Sequence, residues 1–335
     1  MSVRIGLIGA GGISGAHLSA LAEMNDVVVT ALADVNPENA AKKAKMTKSA
    51  AVYTDYNQML DKEKLDAAYI CTPPTVRFEP IRACVSRKLP VFCEKPVAVS
   101  VEEAEKTLAL IKKSGVHVEV GYVLRHLKIV QKLKNMLKDD RIASVSSLYA
   151  CPIGLDYLAG RPAAAWFYKQ EISGGGLVDQ ATHTFDLIRY YAGEPVSVAT
   201  CGVNKFCPKT DAYTVDDSNA VAMTTSDGTV VVHCHTWYHQ TWRHTHIICG
   251  EKRLYTLDIA GSLTVVEGDT KTVYSPNPPD NGYFLEGRFF VDMVKKGDFR
   301  DSISDFDDAV KTFKLTQKCL VSMKSGKFEF ASAGM

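Results

Sequence analysis

The sequence predicts an α/β chain of two domains. A parallel sheet covered by helices comes first, and a mostly antiparallel open sheet follows. Three observations carry this. Short β-branched runs alternate with helical stretches up to about Val120. A glycine cluster, Gly9-Ala10-Gly11-Gly12, follows the first of those runs. From Pro195 to Ser275 several apolar runs succeed one another without helical stretches between them. Alternation of the first kind means parallel strands connected by helices, whereas sequential strands favour antiparallel pairing.

In the first domain, expected over residues 1–121, strands are expected at Val3–Ile8, Val27–Ala33, Leu65–Cys71, Pro90–Cys93 and Val116–Val120. Helices are expected at Ser14–Glu23, Pro37–Lys45, Arg77–Arg87 and Val101–Lys113. The last opens with a capping box, since Glu103 follows Ser100 by three residues.

In the second domain, 122–335, a helix at about Leu124–Lys138 leads into a strand at Ile142–Cys151. A long loop, Pro152–Ser173, precedes a helix at about Leu177–Ala192. Strands then follow, with a hairpin signal at Ser226-Asp227-Gly228. Helices at about Tyr283–Lys296 and Ser304–Lys324 come last.

Composition narrows the function classes. The 335 residues are 46 % hydrophobic and 23 % charged, with a net charge of +1. These are globular values, and the balance disfavours a dedicated nucleic-acid or membrane-surface binder. No apolar run reaches the length that spans a bilayer. The nine cysteines lack the spacing of a disulfide framework, so reduced, mostly buried thiols in a cytoplasmic protein are expected.

The glycine cluster is a strand–turn–helix element. Gly9 permits the tight turn, and Gly11 removes a side chain where a pyrophosphate must approach. Gly12 and Ile13 lead into the helix, whose free N–H groups would face the phosphates. Ser14 stands where a third small residue is usual. The second strand ends at Asp34, placed to hydrogen-bond an adenosine ribose. Val35-Asn36-Pro37 offers no cation for a 2′-phosphate, so NAD is expected rather than NADP.

Three further stretches complete a pattern: Cys71-Thr72-Pro73-Pro74, Glu94-Lys95-Pro96, and the run from Gly174 through Asp179 to His183. With the first turn ending in His17, this set resembles the Gfo/Idh/MocA family of oxidoreductases over nearly the whole chain. The resemblance implies an N-terminal Rossmann domain and a C-terminal α/β domain with a large open sheet. It also implies a bound NAD or NADP, a sugar, cyclitol or polyol substrate, and a homodimer or homotetramer. Thr72, Pro73, Glu94 and Lys95 would then join the cofactor site, and Lys95, Asp179 and His183 would be the catalytic set.

Oxidation of a secondary alcohol needs a base for the hydroxyl proton and a positive group for the alkoxide. His183 suits the first role, with Asp179 four residues earlier on the same helix face to orient it. Lys95, at the carboxyl end of a parallel strand, suits the second. The alternatives are a surface lysine paired with Glu94, and a capping carboxylate with a core histidine. Asp186, on the same helix, is expected to be structural. Gln180 and Thr182 depart from common family residues. Tyr122, Arg125 and Trp166 are candidate substrate contacts, the alternative being that such residues serve packing.

His233, His235, His239, His244 and His246 fall close together, without a zinc signature. No metal is expected, and a hydrated or subunit-facing sheet surface is the expectation for them. Two other functions fit the same residues: glycoside cleavage assisted by NAD through transient oxidation, and a non-catalytic NAD-binding sensor.

Overall fold

The computed structural model describes residues 2–161 and 164–330. It divides into two compact units, residues 1–126 with 281–310, and residues 127–280 with 311–335. The stretch 281–310, expected in the second domain, therefore belongs to the first unit.

The first unit holds a six-stranded sheet, all of whose pairings are parallel. Its strands are β1 (Val3–Ile8), β2 (Val27–Ala33), β3 (Ala51–Tyr53), β4 (Ala67–Ile70), β5 (Val91–Cys93) and β6 (Val118–Val120). The order β3-β2-β1-β4-β5-β6 reverses direction between β1 and β4. Ligands of such sheets bind outside the carboxyl ends of the strands at that reversal. The connecting helices are α1 (Ser14–Ala22), α2 (Pro37–Ala44), α3 (Tyr56–Lys62), α4 (Phe78–Ser86) and α5 (Val101–Ser114). Ser100 caps α5 by accepting from the Glu103 N–H at 3.1 Å, as its sequence requires. β3 and α3 were not expected; Asp55 caps α3 by accepting from the Asn57 N–H.

The second unit is built on a nine-stranded sheet of order β14-β13-β12-β11-β7-β10-β9-β8-β15. The strands are β7 (Ile142–Ala150), β8 (Pro195–Val203), β9 (Ser218–Thr225), β10 (Val230–Thr236), β11 (Arg243–Gly250), β12 (Leu254–Asp258), β13 (Ser262–Glu267), β14 (Thr270–Tyr274) and β15 (Glu329–Phe330). Adjacent strands pair antiparallel except β7 with β10, which are parallel. The hairpin between β9 and β10 turns at Gly228, whose φ of +90° suits glycine.

Helices of the later chain are α6 (Lys128–Met136), α7 (Ile153–Leu158), α8 (Gln170–Ser173), α9 (Gly175–Asp179), α10 (Ala181–Ala192), α11 (Gly282–Lys296) and α12 (Phe306–Ser325). The expected loop Pro152–Ser173 thus contains two short α-helices and a 3-10 helix at Ala165–Tyr168, and its residues 162 and 163 lie outside those described. The helix expected at Leu177–Ala192 is two helices, broken at Gln180, where φ is −102° and ψ −50°.

One face of the large sheet packs against α10 and the other is open. Along β10, Val231, His233 and His235 are buried, while Val230, Val232 and Cys234 are exposed. His233, His235, His244 and His246 are therefore interior, contrary to the expected hydrated or subunit-facing surface, whereas His239 is exposed. His233, His235, His244 and His246 are each at most 8 % exposed. Three of the four meet hydrogen-bond partners, and both ring nitrogens of His235 have none. Ser147 lies 2.9 Å from His233 Nδ1, Thr184 2.9 Å from His244 Nε2 and Tyr191 2.7 Å from His246 Nδ1. Burial drives His235 and His246 down to about 3, so both are neutral imidazoles. All nine cysteines are free; six are buried, and Cys201, Cys234 and Cys249 are exposed on the large sheet.

Candidate active site

The expected cofactor residues meet at the carboxyl ends of β1, β2, β4 and β5 in the first unit. Gly9 has a φ of +93°, and a Cβ there would lie 2.8 Å from the Cys71 carbonyl carbon and the Thr72 nitrogen. Only glycine fits such a close approach of two strand ends. At Gly11 and Gly12, a Cβ would meet nothing within 4 Å. These two face open space, the approach that a diphosphate needs. Ile13 leads into α1, which carries no side-chain cap and whose Gly15 and Ala16 N–H groups donate to the Gly12 and Ile13 carbonyls. Ser14 Oγ donates to the Gly11 carbonyl at 2.7 Å, tying the turn where a third glycine is usual.

Asp34 is oriented by backbone. Its Oδ2 accepts from the Ala10 N–H at 2.6 Å and its Oδ1 from the Asn36 N–H at 2.8 Å. Its carboxylate thus stands at the rim of the glycine turn. Thr72 follows β4, and its hydroxyl oxygen is buried without a hydrogen-bond partner; Pro73 beside it is exposed. A turn open at two glycines, a fixed carboxylate and an orphaned hydroxyl fit a dinucleotide.

Glu94 and Lys95 follow β5, and the Lys95–Pro96 peptide is cis. Glu94 is buried, and its Oε1 lies 2.7 Å from His17 Nε2. Its Oε2 accepts from the Lys95 N–H at 3.1 Å. Burial opposes its ionisation, but the His17 hydrogen bond and the nearby Lys95 and Arg77 charges outweigh this and hold it below the usual range. Arg77, unremarked in the sequence, joins two strand ends: its guanidinium donates to the Thr72 carbonyl at 2.6 and 2.9 Å, and to the Pro96 carbonyl.

Tyr122 and Arg125 also belong to the first unit, but the structure corrects their expected substrate role. Tyr122 is fully buried. Arg125 is 3 % exposed; it pairs with Asp308 at 2.6 Å and donates to the Ile303 carbonyl. A guanidinium so occupied secures the chain segment that returns to this unit.

Asp179, His183 and Trp166 lie in the second unit. Asp179 ends α9 and is buried, and His183, half-buried, is in the first turn of α10. Gln180, between them, is the residue that sequence reasoning undervalued. Its amide donates to Asp179 Oδ2, and its Oε1 accepts from Trp237 Nε1 at 2.9 Å. The carboxylate is thereby held from β10's end, and the break in the helix supplies the geometry. Gly176 is required because a Cβ there would lie 2.6 Å from the His235 ring. Asp186 accepts from Thr312 Oγ1 at 3.2 Å. Trp166 is half-buried and stacks on Phe167. Among the described residues no group of three or more His, Cys, Asp or Glu is arranged for a metal. No described helix is long and apolar enough to cross a membrane.

Comparison with known proteins agrees with this architecture. Residues 3–122 match the oxidoreductase family with an NAD-binding Rossmann fold. Residues 130–256 match the GFO/IDH/MocA C-terminal domain. An uncharacterized protein of Schizosaccharomyces pombe is 30 % identical over 302 residues, covering 80 % of this chain and 73 % of that one. Myo-inositol 2-dehydrogenase of Thermotoga maritima is 27 % identical over 199 residues, 58 % of this chain and 56 % of that one. Against several curated relatives the chain spans 54 % to 57 % of their length. A levoglucosan dehydrogenase solved with NADH superposes with a TM-score of 0.87 at 21 % identity, over 99 % of this chain and all of that one. At that identity the likeness shows the fold.

Proposed function

Because the chain belongs to the Gfo/Idh/MocA family of oxidoreductases, we propose that it exchanges a hydride between a nicotinamide cofactor and a secondary alcohol. The alcohol belongs to a sugar, cyclitol or related polyol, as the names of a relative and a structural neighbour suggest. The observation that carries the reading is the Asp34 carboxylate, fixed by two backbone N–H groups beside a turn that is open at Gly11 and Gly12. A carboxylate there hydrogen-bonds ribose hydroxyls and repels a 2′-phosphate, which favours NAD.

Bound NAD would accept the hydride at the nicotinamide. The chain's own residues would handle the proton and the charge. His183 takes the hydroxyl proton, while Asp179, steadied by Gln180, orients the imidazole. Lys95 donates to the reacting oxygen as negative charge grows on it. In the reverse direction His183 returns the proton. Trp166 offers an apolar face to a sugar ring.

A panel of sugars and cyclitols with NAD, followed by absorbance of the reduced cofactor, tests the reading. Turnover of at least one polyol supports it; a chain that binds NAD yet reduces none across the panel contradicts it.

A further inference from the structure

In the first unit, a buried acid and imidazole cluster lies behind the Glu94-Lys95-Pro96 turn. His17 on α1, Glu94 after β5, Glu119 in β6 and Glu286 on α11 are each at most 4 % exposed. Three of them form a line. His17 Nε2 is 2.7 Å from Glu94 Oε1, and Glu94 Oε2 accepts from the Lys95 N–H. On its other side, His17 Nδ1 faces Glu286 Oε1 at 4.0 Å.

The rings of Tyr69, Phe92 and Tyr283 surround the imidazole edge-on, with centroids 5.2 to 5.6 Å away. Packing therefore fixes its plane. His17 Nδ1 and both Glu286 oxygens are buried without a hydrogen-bond partner. Unpaired buried polar atoms are costly, and an apolar residue would avoid that cost.

We propose that Glu286 is a positioning residue which, acting through His17 and Glu94, holds the backbone turn that presents Lys95. This rests on the reading of Lys95 as the group that meets the reacting oxygen. Burial first, then the Glu94 and Glu119 carboxylates, raises Glu286 well above the usual carboxylate range. A neutral Glu286 has an O–H to give, and His17 Nδ1 is the acceptor that faces it. Their present separation exceeds a hydrogen bond, and a shift of roughly 1 Å closes it. Donation to Nδ1 leaves the ring proton on Nε2, which then donates to Glu94. Glu94, held ionised, accepts from the Lys95 N–H. Each link thus sets the polarity of the next.

The groups that face Glu286 are His17 from α1, Tyr69 from β4, Cys71 just after β4, Glu94 from the end of β5, Glu119 from β6 and Tyr283 from α11 itself. Glu119 is further tied by Ser302 and His117, which share its Oε2. A folded-state value raised above the unfolded one gives a definite sign. Glu286's contribution to stability is complete below the ordinary glutamate range and is lost as pH rises through its folded value.

The test compares Glu286→Gln, Glu286→Met and Lys95→Met in the full chain. NAD affinity, kcat and KM are measured with a polyol that the wild type oxidises. Gln can still donate to Nδ1, so Glu286→Gln should keep kcat within about threefold, while Glu286→Met should lose roughly 10- to 100-fold, both with NAD affinity kept. Normal kcat in Glu286→Met, with Lys95→Met inactive, overturns the proposal and leaves the Lys95 reading standing. Normal kcat in Lys95→Met removes the Lys95 reading and the proposal with it.

Thermal midpoints give a second readout that needs no substrate and no Met variant. The midpoint of Glu286→Gln relative to wild type should rise from mildly acidic to mildly alkaline pH. A difference that stays constant with pH contradicts a neutral Glu286 and overturns the proposal.

Discussion

The Ala10 N–H donates to Asp34 Oδ2 at 2.6 Å, so the glycine turn and the end of β2 are one hydrogen-bonded unit. The residue that would select the cofactor also braces the loop that would receive its phosphates. Asp34→Ala should therefore do two things: weaken NAD binding, and reduce the preference for NAD over NADP by about tenfold or more, since the charge repelling a 2′-phosphate is gone. The ratio of kcat/KM for the two cofactors checks this. An unchanged ratio would remove Asp34 from the discriminating role.

The two glycines of the turn should respond differently to alanine. At Gly9 a Cβ collides with backbone at 2.8 Å, and φ is +93°. At Gly11 it meets open space. Gly9→Ala should lower the thermal midpoint of the cofactor-free protein, whereas Gly11→Ala should leave that midpoint in place and weaken NAD affinity. A Gly11→Ala variant with normal affinity would mean that the diphosphate does not pass over this turn.

Lys95→Met keeps the length of the side chain and removes its charge. NAD affinity should survive, and turnover should fall by about two to four orders of magnitude. His183→Ala should behave alike. The double variant should lose little more than either single one, because both groups serve one transition state. Multiplicative losses in the double variant would show that the two residues act in separate steps.

The open face of the large sheet is apolar enough to be covered. Leu148, Val230, Val232 and Ile247 are each 43 % to 51 % exposed. Register places Val232 and Ile247 on either side of Ser146, so they sit on three neighbouring strands. Were this face covered by a second copy, identical sheets stacked about a two-fold axis would form a homodimer, with a tetramer by a second contact. The wild-type chain should then be a dimer or tetramer in light scattering, and Val232→Glu with Ile247→Glu a monomer. A monomeric wild-type chain at the same concentration would contradict the interface.

Much of this architecture was legible in the sequence, and the exceptions share a cause. The glycine turn, Asp34 and the Glu94-Lys95-Pro96 stretch are local patterns, and a strand-to-helix turn needs only neighbouring residues to be recognised. β3 escaped because Ala51–Tyr53 is three residues long and only partly buried, too short for periodicity to register. The break at Gln180 escaped because its bond to Trp237 spans 57 residues. Which side of β10 is covered was not legible in the sequence. Imidazoles look hydrophilic until Ser147, Thr184 and Tyr191 arrive from other elements to satisfy them. Arg125 was offered to a substrate for the same reason, since Asp308 lies 183 residues away in sequence.

The central claim is direct transfer of a hydride between a polyol carbon and a nicotinamide on this chain. The most direct measurement uses a substrate found in the polyol panel, deuterated at the carbon to be oxidised, and examines the cofactor by mass spectrometry after one turnover. The account predicts that the reduced cofactor carries one deuterium from that carbon. Reduced cofactor without the label, or consumption of the polyol with the cofactor unreduced throughout, would contradict it.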